Sequence, residues 1–345
     1  MEEPHFMPGR WTERMFTDHD RTFAYDGEQG PAFEQWQSQF RKALRGTLGF
    51  PVIQERSIPQ LASKQLATVE GYGYRREKWI IQSELGFYLP FYRLLPDEAT
   101  EPLPVILAVH GHGHTGKEQY VGRVGSQQAH EKNKSGERDI GLQAVRRGYA
   151  AIVPDMRGFG ELSALADFDS GSHSCRTMQM HAQLFGRTLV GDRVWDVKRL
   201  IDYIEASPVL DEQRIAITGN SGGGTVSLFA AAADERINVA VPASYFCTFA
   251  DSIGSVHHCE CNYVPGILQL GEMWDIAGLI APRPFLAING RNDEIFPIDA
   301  TQQAHEKLQR IYGANDARDR CQLHVGRGGH RYYKDPAWSF IGEHL

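Results

Sequence analysis

The sequence predicts a doubly wound α/β domain on a mostly parallel sheet, with an N-terminal helical cap and lid-like inserts. Three observations predict it. From Pro104 onward, six short apolar runs recur, at 105–109, 150–153, 215–217, 239–241, 285–288 and 322–325. Runs of this kind suit strands buried on both faces of a parallel sheet. Between two of them, Val194, Val197, Ile201 and Ile204 make one helical stripe closed by Pro208, and such alternation implies right-handed crossovers. The chain has 345 residues, 41% of them apolar, enough to bury one large core or two modest ones.

In chain order, Pro31 opens a helix with Phe33, Trp36, Phe40 and Leu44 at spacings of three and four, one apolar stripe that must pack on something. Residues 1–65 are read as an extension packed on a main domain of residues 66–345. Trp79-Ile80-Ile81 and Phe87-Tyr88-Leu89 are β-rich runs joined by a turn around Glu84-Leu85-Gly86. Pro90 lacks an N–H, so its strand is expected to be an edge or to break there. Two mostly irregular, polar inserts, 161–191 and 247–271, leave the carboxyl ends of predicted strands, where ligand sites form in such folds.

Net charge is −7, so a broad basic surface for nucleic acid is not expected. No apolar run approaches the ~20 residues needed to span a bilayer. The start, Met1-Glu2-Glu3-Pro4-His5, lacks the basic and apolar regions of a secretory signal; the expectation is a cytoplasmic chain, with a trimmed secreted form as the alternative. The five cysteines, Cys175, Cys247, Cys259, Cys261 and Cys321, are read as free thiols rather than a disulfide framework. Oligomeric state is not legible.

Gly219-Asn220-Ser221-Gly222-Gly223 matches G-x-S-x-G, with a strand before it and a small-residue helix after it. That context places Ser221 on a sharp turn as a nucleophile. Serine hydrolases on such a sheet order their groups as serine, acid, histidine. Asp293, after the 285–288 run, is the expected acid; Glu294 is its competitor, and Asp251 and Asp299 are weaker candidates. His330, on the Gly326-Arg327-Gly328-Gly329 loop after the last strand, is the expected base, whereas His324 and His305 lack loop placement. Acyl transfer needs two N–H donors for the oxyanion. They are assigned to Gly222 and to His112, with Gly113 as second choice for the latter. Arg176, His258, Glu260 and Trp274 are candidate substrate contacts, with His173, His181, His257, Tyr332, Tyr333 and Trp338 also near predicted site loops. The histidines 110, 112 and 114, and the run His257, His258, Cys259 and Cys261, raise a metal reading. No spacing matches a zinc pattern, so no metal and no cofactor are expected.

The elbow, Asp293 with Pro297, Gly329-His330, His110-Gly111 and Asp155-Met156-Arg157-Gly158-Phe159-Gly160 together resemble the α/β-hydrolase superfamily. Within it, the chain resembles the acetyl xylan esterase-like and dienelactone hydrolase-like group. The resemblance covers about residues 70 to 345 and is only weak for the N-terminal part. It implies an α/β-hydrolase fold and hydrolysis of a small-molecule or carbohydrate ester, with no nucleic-acid or membrane partner. It also implies that Asp155-x-Arg157-Gly158 is a salt-bridged structural turn. The chain departs from the cephalosporin C deacetylase type at Gly222, where that type has Gln, and at Arg331, where it has Glu. The alternative functions are a peptidase or dienelactone-type hydrolase on the same triad, and a non-catalytic binding protein on the same fold.

Overall fold

The computed structural model describes residues 8–98, 102–169 and 173–345; the Met1–His5 start and part of the first insert lie outside them. A nine-stranded sheet organises the chain in the order β1-β2-β3-β5-β4-β6-β7-β8-β9. The strands are β1 (Ser63–Glu70), β2 (Tyr74–Glu84), β3 (Phe87–Pro96), β4 (Leu103–Ala108), β5 (Ala150–Pro154), β6 (Leu210–Asn220), β7 (Val239–Ala243), β8 (Phe285–Gly290) and β9 (Cys321–Gly326). The six apolar runs become β4 to β9, and all of their mutual pairings are parallel. The first three strands are antiparallel.

Alternation along the strands divides the core between two sheet faces, because successive side chains point to opposite sides. Val105, Leu107, Ile215 and Ile217 join one apolar cluster, whereas Ile106, Ala108, Ala216 and Val241 join the other. The first face is covered by α1 (Pro31–Thr47), α3 (Leu189–Glu205), α4 (Gly222–Ala233), α5 (Met273–Gly278) and α6 (Ile298–Gly313), with α2 (Cys175–Leu184) at its rim. The second face is covered by the Ile140–Val145 helix and α7 (Lys334–His344). The result is an α/β/α sandwich with the α/β-hydrolase strand order.

Pro31 is the first residue of α1, and Phe33, Trp36, Phe40 and Leu44 are all buried. Arg41 donates to the carbonyls of Ala232 and Leu279, and Arg45 to Ala233. The N-terminal helix therefore also satisfies carbonyls at the ends of α4 and α5, which have no partner within their own helices. On α3, the stripe Val194, Val197, Ile201 and Ile204 is buried as its spacing requires.

Two local expectations need correction. β3 is an interior strand, not an edge, and it runs through Pro90. The N–H and C=O of a strand residue face the same neighbour. The Pro90 carbonyl accepts from Asp155, while the β3–β5 ladder begins only at Phe91 paired with Pro154. The missing donor thus faces the point where β5 has already ended. The first insert is also less irregular than expected, since it contains the ten-residue helix α2. No helix among the described residues is long and apolar enough to cross a membrane.

The turn after β5 is salt-bridged. Arg157 is buried and makes a two-bond contact with Asp196, at 2.8 and 2.7 Å, and a third bond to Glu84 at 2.7 Å. Asp155 accepts from the Lys117 ammonium at 2.6 Å and from the Lys117 and Glu161 N–H groups. Removing one partner from such a buried set strands a charge and costs about 3–5 kcal/mol.

Candidate active site

Ser221 sits between the end of β6 and the first residue of α4, with φ 59° and ψ −119°. A left-handed φ is costly for a residue with a side chain. Packing enforces it: a Cβ on Gly219 or Gly223 would lie 2.1 or 2.0 Å from the Val109 carbonyl oxygen. The two glycines let the elbow press against the end of β4. Gly222 opens α4, so its N–H has no partner within the helix.

Asp293 lies on the loop after β8 and is buried. Its Oδ1 accepts from the N–H groups of Ile295 at 3.0 Å and Phe296 at 3.2 Å. Its Oδ2 is 2.9 Å from His330 Nδ1. A carboxylate can only accept, so Nδ1 carries the proton and Nε2 is left as the ring's lone-pair nitrogen. The loops holding the two residues are joined by backbone bonds from Arg291 to Gly326 and from Asn292 to Gly328. The Phe296 ring stacks on His330 with centroids 5.9 Å apart. Glu294, the competing acid, is exposed.

The elbow and the histidine loop are linked across β7. Ser221 N–H donates to Ala243 O at 2.9 Å. The next residue, Ser244, donates its hydroxyl to Arg331 O at 3.2 Å. Serine, aspartate and histidine therefore occupy loops that leave the carboxyl ends of the parallel strands β6, β8 and β9, on one side of the sheet's mid-line.

The 110–116 run follows β4. His110 is buried, its Nε2 accepting from Met156 N–H at 2.9 Å, and burial pushes its pKa down to about 4. His112 turns the other way. A Cβ on Gly222 would fall 2.7 Å from His112 Nδ1, and one on Gly111 would fall 2.5 Å from Asn220 O. The loop assigned to the oxyanion thus lies directly against the elbow. Gly113 sits within it, its carbonyl closing a turn to Gly116.

The two inserts meet beside this loop. Arg176 pairs with Glu260 at 3.2 Å, and Gln179 donates to Tyr263 O at 3.0 Å. His173 packs edge-on to His112 with ring centroids 5.9 Å apart. His258 is buried against Phe296. Burial lowers its pKa, and its Nε2 has no partner among the described residues. Trp274 is placed elsewhere: the Arg21 guanidinium covers its ring at 5.3 Å, so it belongs to the packing of the N-terminal segment. Tyr332 and Trp338 are buried in the second core, bonded to Thr218 and Gln143, and present no face to a ligand. His181 and His257 are exposed.

Sequence reasoning missed one grouping. His112, Cys175, Cys259 and Cys261 offer donor atoms that all lie within 4.8 Å of one another. They come from three stretches of chain that no linear spacing relates; the sequence singled out His112, Cys259 and Cys261 but not Cys175, and gave no pattern joining them.

A Bacillus subtilis (strain 168) protein, "Putative hydrolase YtaP", is 25% identical over 250 residues, covering 70% of this chain and 77% of that one. The solved structure of a "putative acetyl xylan esterase" from Bacteroides fragilis NCTC 9343 matches with a TM-score of 0.79 at 19% identity, covering 98% of this chain and 86% of that one. A structure named Methylesterase BT1017 matches with a TM-score of 0.71 at 20% identity, covering 97% and 68%. A glucuronoyl esterase from Solibacter usitatus matches with a TM-score of 0.64 at 14% identity, covering 94% and 96%. At these identities the structural likeness is one of fold. A model of the Abhydrolase family matches residues 12–325, and the chain belongs to that family.

Proposed function

We propose that the chain is a serine ester hydrolase acting on a carbohydrate ester through an acyl-enzyme. The observation that carries the proposal is the strained Ser221 turn standing at the same carboxyl end of the parallel strands as the Asp293–His330 pair. In this reading Ser221 Oγ attacks the ester carbonyl while His330 Nε2 takes its proton. Asp293 orients the ring and stabilises the imidazolium. The N–H groups of Gly222 and His112 hold the oxyanion. His330 returns the proton to the leaving alcohol. Water, activated by the same nitrogen, then releases the acid.

The sugar side of the proposal draws on the polar insert wall, with Arg176, His258 and Glu260, and on the esterase names of the similar structures. A wall rich in donors suits a polar leaving group better than a long aliphatic chain. The test is a panel of acetylated xylo-oligosaccharides, methyl and glucuronoyl uronic esters, p-nitrophenyl acetate and short peptides. The proposal expects the highest kcat/KM on one of the sugar esters. Preference for a peptide, or for an aliphatic ester over every sugar ester, overturns it.

A further inference from the structure

The thiol-imidazole cluster beside the elbow has the composition and shape of a metal site. Cys261 Sγ is 3.1 Å from His112 Nε2 and 3.4 Å from Cys259 Sγ, and no donor pair of the four exceeds 4.8 Å. A tetrahedral zinc with bonds of about 2.3 Å to sulfur holds its sulfurs about 3.8 Å apart. The Cys259–Cys261 separation of 3.4 Å is just under that value, and every donor pair stays within 4.8 Å. Cys175 and Cys261 are buried, while Cys259 and His112 are half-buried, so the group is enclosed on the protein side.

A second, independent observation concerns charge. Arg193 is fully buried. Its guanidinium donates to Cys175 Sγ at 3.1 Å and to Arg157 O at 2.7 and 3.1 Å. Among the described residues no carboxylate forms an ion pair with it. A buried guanidinium without a counter-charge is costly. Three thiolates and a neutral imidazole around a divalent ion carry a net charge of −1, which is the counter-charge Arg193 lacks. We propose that His112, Cys175, Cys259 and Cys261 bind one Zn2+.

Four protein ligands fill the tetrahedron and leave no open position, so the ion is structural rather than reactive. Its ligands come from α2 in the first insert, from the second insert, and from the loop lying against Gly222. Zinc therefore ties both inserts to the loop beside Ser221. His110, two residues away, is excluded from the set because its Nε2 is already bonded to Met156 N–H. Cys247 and Cys321 lie outside the cluster.

The test reads metal, not turnover, so it is separate from the ester hydrolase proposal. Full-length protein, reduced and then loaded with zinc chloride and freed of excess metal, should retain about one zinc per chain, with X-ray absorption showing three sulfurs near ~2.3 Å and one nitrogen near ~2.0 Å. Cobalt loading should give the intense near-ultraviolet thiolate-to-cobalt absorption. Cys261→Ser and the half-buried, more tolerant Cys259→Ser should lose both signals, and Cys247→Ser should keep both. A folded, reduced wild-type chain that retains no more zinc than folded Cys259→Ser overturns the proposal. So does mass spectrometry showing that Cys259 and Cys261, or either with Cys175, are joined as a disulfide in the zinc-loaded sample.

Discussion

His330 Nδ1 lies 2.9 Å from Asp293 Oδ2, while the other oxygen of that carboxylate is held by the N–H groups of Ile295 and Phe296. The acid is fixed from one side and bonds the histidine from the other. Asp293→Asn should therefore lower kcat by about 10³–10⁴ through loss of the orienting anion, with KM little changed. Glu294→Gln, at an exposed position without a bond to His330, should leave turnover near wild type. Steady-state kinetics on p-nitrophenyl acetate decide it; the reverse pattern assigns the acid to Glu294.

The elbow glycines offer a stability test that does not depend on substrate. A methyl at Gly219 or Gly223 would meet a backbone oxygen at 2.1 or 2.0 Å. Backbone cannot yield as a side-chain end can, so Gly219→Ala or Gly223→Ala should cost more than about 3 kcal/mol or prevent folding. Gly46 in α1 has nothing within 4 Å of the same position. Gly46→Ala should stabilise the protein by about 0.5–1 kcal/mol. Thermal melts of the three variants that ranked Gly46→Ala lowest would contradict this packing.

His110 gives a pH dependence with a definite sign. Its folded pKa, near 4, lies below the unfolded value of about 6.5 because burial disfavours the charged ring. A depressed pKa contributes stability above the unfolded value and loses it as pH falls through the folded one. Stability should thus decline between pH ~6.5 and ~4, by on the order of 3 kcal/mol from this group. His110→Gln should be less stable at pH 7 yet show a shallower decline. Urea unfolding at several pH values checks this, and equal slopes for the two proteins would remove His110 as the cause.

The inserts give a specificity test. Arg176 and His258 stand on the two segments that meet beside His112. Their alanine variants should raise KM for a sugar ester several-fold more than for p-nitrophenyl acetate, which is too small to span that wall. Equal effects on both substrates, or none, would leave the inserts without a part in specificity.

Strands β4 to β9, the α1 and α3 stripes and the Ser221 elbow were legible because each is written in consecutive or periodic residues. The salt-bridged turn at Asp155 and Arg157 was legible through resemblance. Strand β1 was not, since all eight of its residues are exposed and it has no apolar face to announce it. Pro90 misled because its missing donor depends on where β5 ends, which is a tertiary fact. Trp274 misled because proximity to a predicted loop says nothing about which side the ring takes. The cysteine cluster was set aside for the same reason: Cys175 gave no signal, and His112 and Cys261, 149 residues apart, meet only in the folded chain.

The central claim is that Ser221 is the nucleophile, and one comparison tests it most directly. Wild-type protein and Ser221→Ala are assayed on p-nitrophenyl acetate, with thermal melts showing that both are folded. The account predicts a loss of at least about a thousandfold in kcat for Ser221→Ala, with the melting temperature little changed, because alanine keeps the Cβ and the backbone turn that packing enforces. A folded Ser221→Ala protein that turns over at the wild-type rate would contradict it.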